Sequence, residues 1–224
     1  MPHKQAIIPY LSGMSDEARI MGAVNTFRVQ NGGLFGYNTD AAGFISPLEL
    51  AGHNIVNMRI VIIGAGGAAR SAIFSLAQSG ASEILVINRT VTRGVQLTRE
   101  MQTAFSGCRL EFRPLSLKTL TGVSEEQVDI LVNATSVGME PNHADSLWPA
   151  YLPLPRRALC YDVIYKPLKT LFLQQAEATG HPILNGLEML VHQGAVGFEI
   201  WTGHKVSVDT LTKACLKALD GRAH

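Results

Sequence analysis

The chain has 224 residues, of which 46% are hydrophobic and 17% are charged, and its formal net charge is +1. This composition is typical of a folded globular protein and excludes a disordered one. A charge so close to zero gives no reason to expect nucleic acid or a membrane surface as partner, and no apolar run approaches the roughly 18 residues that span a bilayer. We expect a cytoplasmic protein with a small-molecule partner, and the sequence leaves its oligomeric state open.

The cysteines and histidines are not spaced as metal ligands. Cys108, Cys160 and Cys215 lie far apart, and none belongs to the Cys-x-x-Cys pair of a zinc or redox motif. We therefore expect reduced cysteines that act as small hydrophobic residues, and no bound metal.

Residues 1–40 predict a short helix followed by a β-hairpin. Ser15 is a suitable N-cap for a helix that ends at Met21. Two strand-like segments, 23–29 and 34–37, flank an Asn-Gly pair that tolerates the positive φ of a tight turn. A helix over residues 41–51 is predicted next.

From Arg59 onward, strand-like and helix-like segments alternate. The strands are predicted over 59–63, 83–88, 128–133, 159–162 and 182–184. The helices are predicted over 69–79, 91–103, 168–179, 187–201 and 208–219. This alternation indicates an α/β fold, a doubly wound parallel sheet with helices on both faces.

The glycine-rich turn Gly64-Ala65-Gly66-Gly67-Ala68 directly follows the first of these strands and precedes a helix. With Ala69 it fits the pattern Gly-x-Gly-x-x-[Gly/Ala] in the context that this pattern requires. The first glycine permits a tight turn, and the second lets the backbone approach a pyrophosphate. The N–H groups at the helix start then face the negative charge, so we predict a dinucleotide site here.

The end of the next strand predicts which dinucleotide binds. Sites for NAD usually have an acidic residue there, which accepts a hydrogen bond from the ribose 2′-OH. This sequence instead has Asn88, Arg89 and Thr90, with Arg93 one helical turn later. Two guanidinium groups and a hydroxyl attract a 2′-phosphate, so we expect NADP(H).

Three polar residues outside this segment form a candidate catalytic set: Lys4, Asn25 and Asp40. Each alone also fits an ordinary surface, turn or capping position. Together they suit hydride transfer between an alcohol and a ketone, which needs a group that exchanges the hydroxyl proton. A lysine oriented by a carboxylate can do this, while asparagine and aspartate can hold the other hydroxyls of a polyol.

These segments match, in order and spacing along nearly the whole chain, the motifs of a known family, and the sequence resembles the shikimate dehydrogenases. The substrate-side motifs are Pro2-His3-Lys4, Gly22-Ala23-Val24-Asn25-Thr26 and Asn38-Thr39-Asp40. The cofactor-side motifs are the glycine turn and Asn88-Arg89-Thr90 with Arg93. Further matches are Asn133–Met139, Asp162–Tyr165 with Pro167, Asn185-Gly186, Met189–Val191 and Gln193.

The resemblance implies an NADP-dependent reduction of 3-dehydroshikimate to shikimate, on the chorismate route to aromatic amino acids. It implies that Lys4 is the acid–base residue and that Asp40 is its partner and a substrate ligand. Asn25, Tyr165 and Gln193 are the other implied substrate contacts. The implied cofactor contacts are Gly64, Ala65, Gly66, Gly67, Ala68, Asn88, Arg89, Thr90, Arg93, Val163, Gly186 and, as a minor one, Asp16.

The resemblance also implies a division of the chain. Residues 1–40 correspond to part of a substrate-binding domain, 41–186 to a Rossmann-like NADP domain, and 187–224 to helices that return to the substrate domain. Family members carry roughly sixty further residues before Pro2, including a Ser-x-Ser pair that binds the substrate carboxylate, so we expect an incomplete α/β substrate domain with exposed strand edges.

Two alternatives remain open at the level of sequence. One is a quinate/shikimate dehydrogenase, which would accept NAD more readily; Arg89 and Arg93 argue against a preference for NAD but leave quinate open as a substrate. A catalytically impaired remnant that still binds NADP is the other alternative, because the carboxylate-binding segment is missing from this sequence.

Overall fold

The computed structural model describes residues 3–220, and at Asp220 only the backbone. The strands are β1 (Gly13–Met14), β2 (Thr26–Gln30), β3 (Gly33–Tyr37), β4 (Arg59–Ile63), β5 (Glu83–Asn88), β6 (Arg109–Pro114), β7 (Ile130–Asn133), β8 (Leu159–Asp162) and β9 (Ile183–Leu184). The α-helices are α1 (His3–Ala6), α2 (Asp16–Met21), α3 (Asp40–Leu50), α4 (Gly67–Gln78), α5 (Val91–Ala104), α6 (Leu117–Glu125), α7 (Leu171–Ala178), α8 (Gly186–Thr202) and α9 (Val208–Asp220).

The larger sheet has six parallel strands in the order β6-β5-β4-β7-β8-β9. The chain runs outward from β4 to β6 and then returns to β7 on the other side of β4. Ligands of such sheets bind where the strand order reverses, beyond the carboxyl ends of the strands. The predicted α/β fold, a doubly wound parallel sheet, is confirmed, and its switch point lies between β4 and β7.

The side chains of β4 show why the sequences of the central strands are continuous apolar runs. Ile60 and Ile62 pack into a buried cluster with residues of α3, α4 and α5. Val61 and Ile63 point to the opposite face and pack into a second cluster with residues of α6 and α7. Because both faces of the sheet are covered, neither set of alternating positions is polar.

The smaller sheet contains the predicted hairpin. β2 and β3 pair antiparallel around Asn31 and Gly32, which both have positive φ, and β1 pairs parallel with β3. Ser15 caps α2, since its hydroxyl accepts a hydrogen bond from Ala18 N at 3.3 Å. The hairpin and the capped helix therefore form as the local sequence predicts.

Helices α3 and α8 connect the two sheets. α3 packs against both α4 and α8, and α9 packs on α8. At the far end of α8, Trp201 Nε1 donates a hydrogen bond to Phe27 O at 3.1 Å, which ties the helix to β2. Within residues 3–220, no helix is long and apolar enough to cross a bilayer.

Strand β6 and helix α6 were not predicted from the sequence. β6 is the edge strand of its sheet, and its sequence Arg-Leu-Glu-Phe-Arg-Pro mixes charged with apolar residues. Its pairing with β5 therefore depends on the neighbouring strand and on the covering helix α5 more than on a local pattern.

A buried carboxylate fixes the loops that follow β7 and β8. The side chain of Asp162, at the end of β8, is fully buried. One oxygen accepts hydrogen bonds from Thr170 Oγ1 (2.6 Å) and Asn133 Nδ2 (3.1 Å), and the other accepts from Ile164 N (3.0 Å). Asn133 Oδ1 in turn accepts from the backbone and the hydroxyl of Thr135. This network sets the course of both loops at the carboxyl edge of the sheet.

Burial raises the pKa of Asp162 from 3.8 to about 6, although hydrogen bonds from Thr170, Ile164 and Asn133 act to lower it. The folded chain therefore holds a proton here more tightly than the unfolded chain. The stabilisation from this proton is present below pH 3.8 and is lost as the pH rises through about 6.

We predict that Asp162→Asn, which removes the titrating group, flattens this pH dependence. Between pH 4 and pH 7 the unfolding free energy of the wild type should fall by up to about 3 kcal/mol more than that of the variant, because each pKa unit is worth about 1.4 kcal/mol. Urea unfolding at both pH values measures this difference. Asp209→Asn, at an exposed position on α9, is the control and should match the wild type; an Asp162→Asn profile parallel to the wild type contradicts the prediction.

Candidate active site

The glycine turn after β4 folds tightly against the loop after β7. Gly64 has a φ of +125°, and a Cβ at this position would lie 2.7 Å from Ala134 O. Its N–H donates to Ile87 O at 2.8 Å, so the turn also stays close to the end of β5. Only glycine fits this position, as the sequence pattern predicts.

The start of α4 leaves its backbone open to a ligand. Gly66 is the N-cap, and no side chain caps the helix. A Cβ at Gly66 or Gly67 would meet no atom within 4 Å, so the space beside this backbone is free. The first N–H groups of a 12-residue helix are thus available to an anion, which fits the pyrophosphate of a dinucleotide.

Two arginines lie at the end of β5, next to the glycine turn. Arg89 and Arg93 are both exposed, and neither forms an ion pair with any residue of the described range 3–220. Asn88 Nδ2 donates to Thr90 O at 2.9 Å and fixes the corner between β5 and α5. The arrangement fits a phosphate group beside the ribose.

The three candidate catalytic residues are brought together. Lys4 Nζ forms an ion pair with Asp40 Oδ2, and Asn25 Nδ2 donates to the other carboxylate oxygen of Asp40 at 2.8 Å. The Lys4 and Asp40 side chains are 23% and 14% exposed. α1 is held in place by a backbone hydrogen bond from Val24 N to Lys4 O at 2.8 Å. The carboxylate therefore holds the ammonium group in a partly enclosed position.

Thr39 belongs to the same cluster, although no role of its own was predicted for it. Its side chain is 1% exposed. Its hydroxyl lies 3.1 Å from Asn25 Nδ2 and 3.3 Å from Gln193 Oε1, so Thr39 connects Asn25 to α8. The contact with Gln193 spans 154 positions along the chain, and no local pattern reports a contact at that distance.

One cleft of about 1,060 Å³ joins this cluster to the cofactor side. Its lining contains many of the predicted site residues: Lys4, Asn25, Asp40, Gly66, Gly67, Ala68, Val163, Tyr165, Gly186 and Gln193. Lining residues for which no role was predicted include His3, Ile7, Ser136, Glu140, Lys166 and Leu219. The cleft lies at the switch point of the sheet, where such folds bind ligands.

Some predicted residues lie outside this lining. Gly64, Ala65 and the Asn88–Arg93 corner are beside it on the cofactor side. Asp16 is on α2, 83% exposed, and pairs with Arg19, so the structure does not bring it to the cleft. Pro2 lies outside the described residues.

The Val163 loop and the start of α8 pack closely together. A Cβ at Gly186 would lie 2.1 Å from Val163 O, and Gly186 N donates to Ile164 O at 3.0 Å. Asn185 caps α8 by accepting a hydrogen bond from Leu187 N. A glycine is therefore required where these two cofactor-side segments meet.

Comparison with known proteins identifies the family. Residues 49–140 match the profile of the shikimate / quinate 5-dehydrogenases, and residues 186–216 match the shikimate 5′-dehydrogenase C-terminal domain. The shikimate dehydrogenase (NADP(+)) of Alkaliphilus oremlandii is 40% identical over 213 residues, which cover 95% of this chain and 74% of that protein.

Solved structures agree with these matches. Shikimate 5-dehydrogenase of Thermus thermophilus, in complex with NADP(H) and shikimate, superposes with a TM-score of 0.83 at 36% identity, over 98% of this chain and 77% of that one. Quinate dehydrogenase of Corynebacterium glutamicum, in complex with NAD, superposes with a TM-score of 0.88 at 29% identity, over 96% of this chain and 75% of that one.

The predicted family and the predicted enzyme class, an oxidoreductase, are confirmed by these comparisons. The predicted cofactor, NADP(H), is also the cofactor in the name of the Alkaliphilus oremlandii relative, shikimate dehydrogenase (NADP(+)). This chain belongs to the shikimate dehydrogenase family.

Proposed function

We propose that this chain catalyses the NADP-dependent reduction of 3-dehydroshikimate to shikimate, on the chorismate route to aromatic amino acids. The observation that carries the proposal is the position of the Lys4–Asp40 pair, which faces the same cleft as the glycine turn. An acid–base group and a dinucleotide-binding backbone are thereby within reach of one small molecule.

The cofactor side supports NADP(H) as the dinucleotide. The free N–H groups at Gly66 to Ala68 are suited to the pyrophosphate, and Arg89 and Arg93 to the 2′-phosphate. Val163 and Gly186 line the cleft between this region and the catalytic cluster. NADPH, when bound, supplies the hydride for the reduction.

Lys4 is the proposed proton donor. Its ammonium group gives a proton to the carbonyl oxygen of the substrate as that oxygen becomes a hydroxyl, and takes one back in the oxidation. Asp40 holds the ammonium group in place, and Asn25 binds the second oxygen of Asp40 and so limits its rotation. The cluster thus fixes the direction in which the proton is offered.

Neutral groups complete the substrate side. Tyr165 is 42% exposed at the cleft and offers a phenolic hydroxyl, while Gln193 and Asn25 offer amide groups. Such groups donate to and accept from the hydroxyls of a ring without adding charge. We propose all three as substrate contacts.

We predict that Lys4→Ala lowers kcat for the reduction of 3-dehydroshikimate by about 10²–10⁴, the usual contribution of general acid–base catalysis. The dissociation constant for NADPH should stay within about twofold of the wild type, since Lys4 lies across the cleft from the glycine turn. NADPH oxidation at 340 nm measures the first quantity and fluorescence titration the second.

The matched control is Lys213→Ala, which removes an exposed lysine on α9 that pairs with Asp209. It should leave both quantities unchanged. If kcat of Lys4→Ala equals that of the wild type, Lys4 is not the proton donor. A wild type that binds NADPH but does not turn over would instead support the impaired remnant.

For the cofactor, we predict that Arg89→Glu weakens the binding of NADPH much more than the binding of NADH. Loss of a charged hydrogen bond costs about 1.5–3 kcal/mol, and charge reversal adds repulsion, so kcat/KM for NADPH should fall by at least about tenfold. Arg99→Glu, an exposed arginine further along α5, is the control and should change neither value. Equal losses for both nucleotides contradict a 2′-phosphate contact at Arg89.

A second candidate function is quinate oxidation, which the likeness to a quinate dehydrogenase favours. The free arginines at the end of β5 favour the NADP-dependent shikimate reaction instead. Comparison of kcat/KM for shikimate with NADP⁺ and for quinate with NAD⁺, on the same preparation, separates the two.

A further inference from the structure

Helices α3 and α8 pack closely together at a glycine. Gly43 lies within α3, one turn after Asp40, and is buried. A Cβ at this position would lie 2.7 Å from Met189 O, 2.7 Å from Gln193 Cβ and 3.0 Å from Gln193 N. Two of these atoms are backbone atoms of α8, so a side chain at position 43 requires the helix itself to move.

This crossing lies directly beside the substrate side of the cleft. Met189 and Gln193 are one turn apart on α8, and both line the cleft. On the α3 side, Thr39 Oγ1 is 3.3 Å from Gln193 Oε1, and Asp40 follows Thr39 as the first residue of the helix. The separation of the two helices at Gly43 therefore sets the distance from Gln193 to the Lys4–Asp40 cluster.

Nothing in the conformation of α3 itself requires a glycine at position 43. Glycine is less favourable than alanine in the interior of a helix, and the φ of Gly43 is not positive, so the backbone conformation does not require glycine here. Its neighbours Ala41, Phe44 and Leu48 are buried and apolar, as expected for a packed helix face. The close approach of α8 is the feature that excludes a larger residue.

We propose that Gly43 is a positioning residue for the substrate: by allowing α8 to approach α3, it keeps Gln193 in contact with the buried Thr39 and so sets where the Gln193 amide meets the substrate in the cleft. Its kinetic consequence rests on the function proposed above, whereas its geometric consequence does not. Gly43 touches neither the reacting atoms nor the cofactor site.

The test is Gly43→Ala, with Gly194→Ala as the matched control. Gly194 follows Gln193 on the same helix, and a Cβ there meets no atom within 4 Å. We expect Gly43→Ala to raise KM for 3-dehydroshikimate by about tenfold or more while KM for NADPH stays within about twofold, because a shift of about 1 Å at a binding group has effects of this size. Gly194→Ala should match the wild type in both.

Crystal structures of the two variants provide a readout that does not depend on turnover. In Gly43→Ala the Thr39–Gln193 contact should be lost, and in Gly194→Ala it should be kept. If the wild type does not reduce 3-dehydroshikimate, the proposed function fails, but this comparison still decides the role of Gly43. A Gly43→Ala structure that keeps the contact overturns the inference, as does an equal rise of KM for both substrates.

Thr39→Val covers the case in which Gly43→Ala does not fold. It removes the hydroxyl that joins Asn25 to Gln193 and adds no side chain between α3 and α8 at Gly43. If the Thr39–Gln193 contact positions Gln193 for the substrate, this variant should also raise KM for 3-dehydroshikimate and leave KM for NADPH unchanged. An unchanged KM for 3-dehydroshikimate overturns the inference.

Discussion

The ion pair between Lys4 and Asp40 is the interaction on which the proposed chemistry depends. It joins residues 36 positions apart, and neither is held by its own short segment alone. α1 has only four residues and is fixed through a backbone bond to Val24, while Asp40 is fixed at the start of α3 by Asn25 and by a bond from its own N–H to Asn38. The smaller sheet and α3 thus act together to place one charged pair at the cleft.

The cofactor side depends on backbone geometry to a greater extent than on charged side chains. At the glycine turn the critical features are the positive φ of Gly64 and the open N–H groups at the start of α4. The Asp162 network holds the facing loops, and Gly186 lets the start of α8 meet the Val163 loop. A parallel sheet delivers all these elements to one edge, because each strand ends there.

Much of this arrangement follows from the sequence. Strands β4, β5 and β8 were predicted with their observed bounds, since runs such as Arg59–Ile63 are buried on both faces. The edge strand β6 was not predicted. It pairs with only one strand, and its sequence mixes charged with apolar residues, so it shows no clear strand pattern. Lys4, Asn25 and Asp40 were predicted as a set from their chemistry and from a family resemblance.

Contacts between distant helices are what the sequence did not reveal. Thr39 and Gly43 received no predicted role of their own, because their roles depend on α8, about 150 positions further along the chain. The division of the chain into three segments likewise stays a prediction. Long-range packing fixes these features, and neither periodicity nor local spacing carries information about it.

The most direct test of the proposed site is the crystal structure of the chain with NADP⁺ and shikimate bound together. In this complex we expect Lys4 Nζ to lie at hydrogen-bond distance, about 2.6–3.2 Å, from the hydroxyl that is oxidised, with the nicotinamide on the other side of the same carbon. We also expect the pyrophosphate against Gly66 and Gly67 and the 2′-phosphate against Arg89. Shikimate bound away from the Lys4–Asp40 pair, or a nucleotide bound away from the glycine turn, would contradict it.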